Sequence, residues 1–157
     1  MSAFTEKEIE YLRGQRLGRM ATVGTNGSPH VMPVGFRLDG EAKTIEIGGH
    51  GLSSSKKWRE LLANPRIAFV VDDLVTTNPW TPRRIEIRGR AELQAEGGRE
   101  RFGGRGWDSA WIRVAPQRIV SWGIEGPVSR PREGARDRWK GHDVRDGVSA
   151  LVSKRLP

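Results

Sequence analysis

The sequence predicts a mainly β protein: a small β-barrel of roughly six to seven short strands with flanking helices. Three observations predict it. Short apolar or alternating runs recur along the chain, separated by Gly, Pro, Asn and Asp turns. Only two segments carry convincing helix signals. The chain has 157 residues and no cysteine, a single-domain length with no disulfide framework and no thiolate metal site.

The elements follow in order. Thr5 and Glu8 form a capping box that starts a helix with Ile9 and Leu12 on one face and Tyr11 beside them; it ends near Gly14–Arg16. Leu17–Val23 is a first strand, packed through Leu17, Met20 and Ala21. Thr25-Asn26-Gly27-Ser28 predicts a type I′ hairpin turn. The return strand is His30–Phe36, with Val31, Pro33 and Gly35 on one face. Pro33 cannot donate to a ladder, which points to an edge or bulge. Leu38-Asp39-Gly40 turns into a strand at Thr44–Gly48.

Gly48-Gly49-His50-Gly51 then breaks the strand, letting backbone approach a ligand or take positive φ. A helix from about Ser54 to Ala63 buries Trp58, Leu61 and Leu62, and Asn64-Pro65 stops it. Ile67–Val71 is a central apolar strand. Asp72–Arg83, with Pro79, Trp80 and Pro82, reads as a loop. Arg84–Leu93 alternates charge against Ile85, Ile87, Gly89 and Ala91, as a half-exposed strand does. Glu96–Gly106 reads as a mobile Gly-rich connection. Trp111–Val114 and Arg118–Ile124 are the last strands, joined through Ala115-Pro116-Gln117. No internal repeat is present.

Residues 1–126 therefore form the barrel domain, and 127–157 a basic C-terminal extension. This extension carries half of the net charge of +8. It reads either as a solvated tail or as an arm docking on a neighbouring subunit through Trp139 and its arginines; Val148–Val152 could be a short helix or strand. No apolar run approaches a membrane span and Met1–Arg13 is not a signal peptide, so the expectation is a cytoplasmic protein.

The stretch Gly48–Pro65 carries the functional signal. Ser53, Ser54 and Ser55 precede the second helix, and Lys56 and Lys57 occupy its first turn. A helix N-terminus favours anions, so two ammonium groups there are explained by a phosphate between them. A Ser-capped helix with a solvated basic face is the equally open alternative. His30, His50 and His142 show no metal-ligand spacing, so no metal site is expected, and no second-ligand pattern supports haem. No G-x-S-x-G elbow is present. Nucleic-acid binding by a basic, Trp-containing barrel is disfavoured because the strands hold no aromatic platform.

Taken together, the run G-R-M-A-T-V-G-T-N-G-S-P-H-V-M-P-V-G-F, then S-S-K-K-W-R-E-L-L-A-N-P-R-I-A-F-V-V, then R-R-I-E-I-R-G-R-A-E, then R-V-A-P-Q-R-I-V-S-W resembles the split-barrel flavin-binding superfamily of pyridoxamine-5′-phosphate oxidases. Within it, the chain is similar to the actinobacterial deazaflavin (coenzyme F420)-dependent reductases, the branch that includes the tetracycline-pathway dehydro-intermediate reductases. The resemblance spans Phe4–Gly126; order and spacing, not any single motif, make it specific.

The resemblance implies a split barrel, a homodimer with cofactor at the interface, and hydride transfer from reduced F420 to a conjugated enone, imine or polycyclic small molecule. FMN is the alternative cofactor, and a non-catalytic F420 carrier the alternative role. It implies that Ser55, Lys56 and Lys57 bind phosphate, that Met32, Pro33 and Val34 run beside the ring system, and that Gly48, Gly49 and His50 lie near the ribityl chain and ring. Trp122 would lie on the ring from the partner subunit, Arg88 could face the cofactor, and Arg59 would complement an acidic cofactor tail. His50, Tyr11 or water would supply the proton. Trp80 and Trp107 could line a flat substrate pocket or simply pack on the barrel. The oxidases' R-L-H-D-R-type segment is replaced here by G-P-V-S-R-P-R-E-G-A-R-D-R without its histidine, which argues against pyridoxamine-phosphate oxidation. Glu96–Gly106 is short for those enzymes, and Pro131–Pro157 has no counterpart.

Overall fold

Local signals at the N-terminus become structure directly. The computed structural model describes residues 2–126 in full and the backbone of residues 140–145 and 148–152. The Thr5 capping box forms, with Glu8 accepting the Thr5 N–H at 3.0 Å, and starts helix α1 (Glu6–Arg13), which Gly14 ends. Strands β1 (Leu17–Val23) and β2 (Pro29–Gly35) form an antiparallel hairpin. Its turn is not type I′. Gly27 N–H donates to Gly24 O at 2.8 Å, Gly24 N–H donates to Ser28 O at 2.9 Å, and only Gly27 takes positive φ. A three-residue loop with a left-handed glycine results, because the Asn26 side chain accepts the Ser28 N–H at 3.0 Å instead of Asn26 turning left-handed itself.

Next come β3 (Arg37–Leu38), β4 (Ile45–Ile47), a 3-10 turn at Leu52–Ser54 and helix α2 (Lys56–Ala63). β5 (Arg66–Thr77) and β6 (Trp80–Gln94) then form one long hairpin. The expected loop Asp72–Arg83 is therefore strand. Asp73 and Arg83 face each other across it in an ion pair of 2.6 Å, and β-branched Val75, Thr76, Thr77 and Thr81 suit extended chain. The prolines that suggested a loop sit at its turn and opposite a register shift.

The Glu96–Gly106 connection is also more ordered than expected, holding helix α3 (Gly98–Phe102). Buried Glu46 of β4 ties this helix down, accepting from Arg37 Nε at 2.8 Å and Arg101 Nη1 at 2.7 Å. β7 (Trp111–Trp122) is one strand, not two. A register shift absorbs Pro116, opposite Gly89, where a Cβ would lie 2.1 Å from Ala115 O. β8 (Lys140–Arg145) pairs with β7, and β9 (Val148–Val152) with β8, so part of the C-terminal extension continues the sheet. Trp139 lies outside the described residues, and the arm reading with it.

The nine strands form one antiparallel sheet of order β2-β1-β5-β6-β7-β4-β3, with β8 and β9 branching from β7, more strands than expected. β4 pairs with Ile112–Val114 and β8 with Arg118–Ser121, so they share one side of β7. The inner face packs Met20, Phe69, Val71, Ile85, Ile87, Ile112 and Ile119, with Leu12 of α1 and Leu61 of α2 against it. This is a mainly β split half-barrel, as the sequence predicts. Two packing expectations fail. Leu17 is 57% exposed because it lies on the sheet's outer face, and Leu62 is 67% exposed because it points away from the face that buries Leu61. Trp80 is also exposed, at the tip of the β5–β6 hairpin.

Candidate cofactor-binding site

Helix α2 enters the sheet through Ser55. Its hydroxyl donates to Leu52 O at 2.6 Å and accepts the Trp58 N–H at 3.3 Å. The other two serines are equally committed. Ser54 Oγ donates to Gly51 O at 3.0 Å, and Ser53 Oγ to Asp108 at 2.7 Å. The serine run is thus a folding device first. What it leaves open is the helix end itself. The Lys56 and Lys57 amides belong to the first turn, where no intrahelical acceptor exists. Lys56 Nζ lies 3.7 Å from Glu60. Lys57, half-buried, has no carboxylate partner among the described residues.

Glu60 joins this end to the hairpin. Its Oε2 accepts from Thr22 Oγ1 at 2.6 Å and His30 Nδ1 at 3.0 Å. The Thr22 hydroxyl, then His30, holds the Glu60 carboxyl below the usual carboxylate range. β2, with half-buried Met32, exposed Pro33 and buried Val34, is thereby fixed beside α2. Pro33 lies on the edge strand, as expected.

Gly48, Gly49 and His50 adjoin the same turn. Gly48 is required by Phe102, whose ring would lie 2.6 Å from a Cβ; this close approach is to a side chain and not only to a ligand. The exposed His50 ring uses Nδ1 on Gly106 O and packs against Trp107 at 5.1 Å between centroids, and Trp107 stacks on Phe102 at 5.6 Å. With Nδ1–H donated, the neutral ring presents Nε2 as acceptor only.

Three candidates lie elsewhere in the chain. Arg88 is on the outer face of β6, paired with Glu86. Trp122 aligns with Arg84 and, through Asp72, with the row of Leu17, at the opposite end of β1 from Thr22. That span is five residues, roughly 17 Å of strand. Tyr11 is at that far end too, donating to Asp73, and burial pushes its phenol up, so it is a poor proton donor. Arg59 is engaged with Ser54 O at 2.8 Å. The sequence reading missed Glu60 and Asp108. The only local signal for Glu60 was its i+4 spacing from Lys56; Asp108 had none. A groove of about 380 Å³ lies beside α3, lined by Glu96, Gly97, Glu100, Arg101 and Trp111, away from Lys57. The described residues contain no acidic or histidine cluster fit for a metal ion, and no helix long and apolar enough to cross a membrane.

Fold and site together define a split-barrel protein of the pyridoxamine 5′-phosphate oxidase class. The sequence pattern of that family matches residues 4–123, and the chain belongs to it. Within the family, the chain is 48% identical over 126 residues to the 5a,11a-dehydrotetracycline/5a,11a-dehydrooxytetracycline reductase of Streptomyces rimosus subsp. rimosus, covering 80% of this chain and 87% of that one. Solved structures share the fold. A conserved hypothetical protein of Mycobacterium tuberculosis superposes with a TM-score of 0.60 at 22% identity, covering 85% of this chain and 96% of that one. An F420 reductase superposes with a TM-score of 0.53 at 24% identity, covering 70% and 94%.

Proposed function

We propose that the chain is a deazaflavin (F420)-dependent reductase acting on a conjugated polycyclic small molecule of the dehydrotetracycline kind. The observation that carries this reading is the 48% identity to a reductase of such intermediates over four-fifths of the chain. The site fits a phosphate-bearing cofactor on its own geometry: a helix N-terminus with unfilled amides and a half-buried Lys57 with no carboxylate partner among the described residues. Lys57, with the Lys56 amide, would hold the phosphate. Met32-Pro33-Val34 and Gly48-Gly49-His50 would flank the ring. When bound, reduced F420 supplies a hydride; a conjugated C=C of the substrate gains it and a proton, a two-electron reduction.

The protein's part is to bind, orient and exclude water. His50 is held by Gly106 and Trp107 and donates a proton from Nε2 only when charged, so water is the simpler proton source. The reading includes a cytoplasmic homodimer. The sheet's outer face supports a second copy, since Leu17, Val31 and Pro33 stand exposed there, and Trp122 would then reach the cofactor from the partner. Titration of the protein's tryptophan fluorescence with F420 and with FMN, followed by turnover of dehydrotetracycline, tests it. Tight F420 binding with reduction is expected. Preference for FMN moves the chain to the flavin side of the family; F420 binding without turnover makes it a carrier.

A further inference from the structure

The loop that bears Trp107 is bolted to the turn that leads into α2, and one side chain, Asp108, makes two of the hydrogen bonds that cross the joint. Asp108 Oδ2 accepts the Ser53 N–H at 2.8 Å and the Ser53 hydroxyl at 2.7 Å. Asp108 Oδ1 accepts the Ala110 N–H at 3.1 Å, and the Asp108 N–H donates to Gly49 O at 2.9 Å. Beside it, His50 donates to Gly106 O and packs on Trp107. Apart from the Ala110 bond, which braces the loop itself, the struts of this joint run between residues 49–53 and 106–110. Those segments flank the two things a reductase site must align: the anion-binding helix end at Lys56–Lys57, and the aromatic wall of His50, Trp107 and Phe102.

We propose that Asp108 is a positioning residue that latches the 104–110 loop onto the entry of α2, so that the phosphate-binding helix end and the aromatic wall are set as one unit. A carboxylate is suited to this. It satisfies two donors of one residue while bracing its own loop, and such charge-assisted bonds are roughly twice as strong as neutral ones. The Ser53 bonds hold its carboxyl down at about 2, so the latch stays charged and closed throughout the working pH range. A fixed joint of this kind couples the two sides: ordering the helix end by phosphate also orders the wall that a planar substrate would meet. The ligand half of this inference rests on the α2 N-terminus being the phosphate site; the mechanical half does not.

The experiment compares wild type with Asp108→Ala, Asp108→Asn and Ser53→Ala. Hydrogen exchange is followed over residues 49–57 and 104–110, with the buried β5–β6 ladder as the internal control for folding. Asp108→Ala is expected to quicken exchange in both segments together and leave the control unchanged. Quickening confined to 104–110 would overturn the latch, because Asp108 would then brace only its own loop. In parallel, affinity is measured for F420 and for its phosphate-free deazaflavin core. A loss of about tenfold for F420 with a smaller loss for the core is expected for Asp108→Ala, with partial recovery in Asp108→Asn, whose amide oxygen still accepts. Equal losses for both ligands would show general loosening and overturn the positioning role. Wild type binding neither F420 nor FMN would remove the proposed function, while the exchange result would still decide the latch.

Discussion

Under the proposed function, Lys57 is the residue on which cofactor binding would turn. Among the described residues its ammonium has no carboxylate partner, whereas Lys56 shares Glu60, so the two lysines should not be equivalent. Lys57→Ala should weaken binding of a phosphate-bearing cofactor by about 1.5–3 kcal/mol, the range for a hydrogen bond to a charged group. Lys56→Ala should cost less in the same fluorescence titration, and an unchanged Lys57→Ala affinity would remove the cradle. Gly48→Ala is a second test at this scale. The new methyl meets the Phe102 ring, which stacks on Trp107, so overpacking should cost about 1–3 kcal/mol in a denaturant midpoint and disturb the aromatic wall. The lysines and glycines were legible in sequence because their local pattern was unusual. The true employment of the serines was not, because Ser53 is satisfied by a carboxylate 55 positions away.

At the scale of elements, α1 is docked by a small charged cluster. Asp73 of β5 accepts from Arg83, from Gln15 at 2.9 Å and from Tyr11 at 3.3 Å, and Arg83 first among these holds its carboxyl below the ordinary range. A lowered carboxyl pKa contributes stability that is fully present above the unfolded value and lost as pH falls through the folded one. The acid limb of a stability-against-pH curve should therefore be flatter in Asp73→Asn than in wild type. An unchanged limb would mean that this cluster does not link α1 docking to pH. Elements with strong local signals, such as the capping box of α1 and the alternation of β6, were readable residue by residue. The β5–β6 hairpin beyond Asp72 was not. Its prolines are strong loop signals locally, and the cross-strand ladder, with Asp73 facing Arg83, outweighs them. β7 was split in the reading for the same reason, since the register shift that admits Pro116 depends on Gly89 of another strand.

For the whole molecule, one sheet face is filled by the core and the other carries apolar side chains with nothing over them among the described residues. Leu17 and Val31 are 57% and 65% exposed, with Pro33 in the next row. Leu17 was expected to pack, and in a dimer it would. Replacing Leu17 and Val31 together with Arg should convert a dimer to monomer in sedimentation while leaving the far-ultraviolet spectrum intact. A wild-type monomer would place the partner-supplied Trp122 in doubt. The barrel class was legible because strand spacing and turn chemistry are local; how the sheet joins its distant rows, and which face stays open, are properties of pairing alone.

The outermost strand, β2, has a consequence for solubility. Pro29 and Pro33 have the same strand parity, so both missing N–H groups fall on one side of it. β1 pairs along β2 without a break from Leu17 to Val23, which leaves the missing donors on the outward side. A stray strand arriving there finds two of the four expected N–H donors absent. Growth of the sheet by end-on addition is disfavoured on this flank, so a second copy of the proposed dimer would meet the first by its face, in a contact that closes on itself instead of propagating into a fibre.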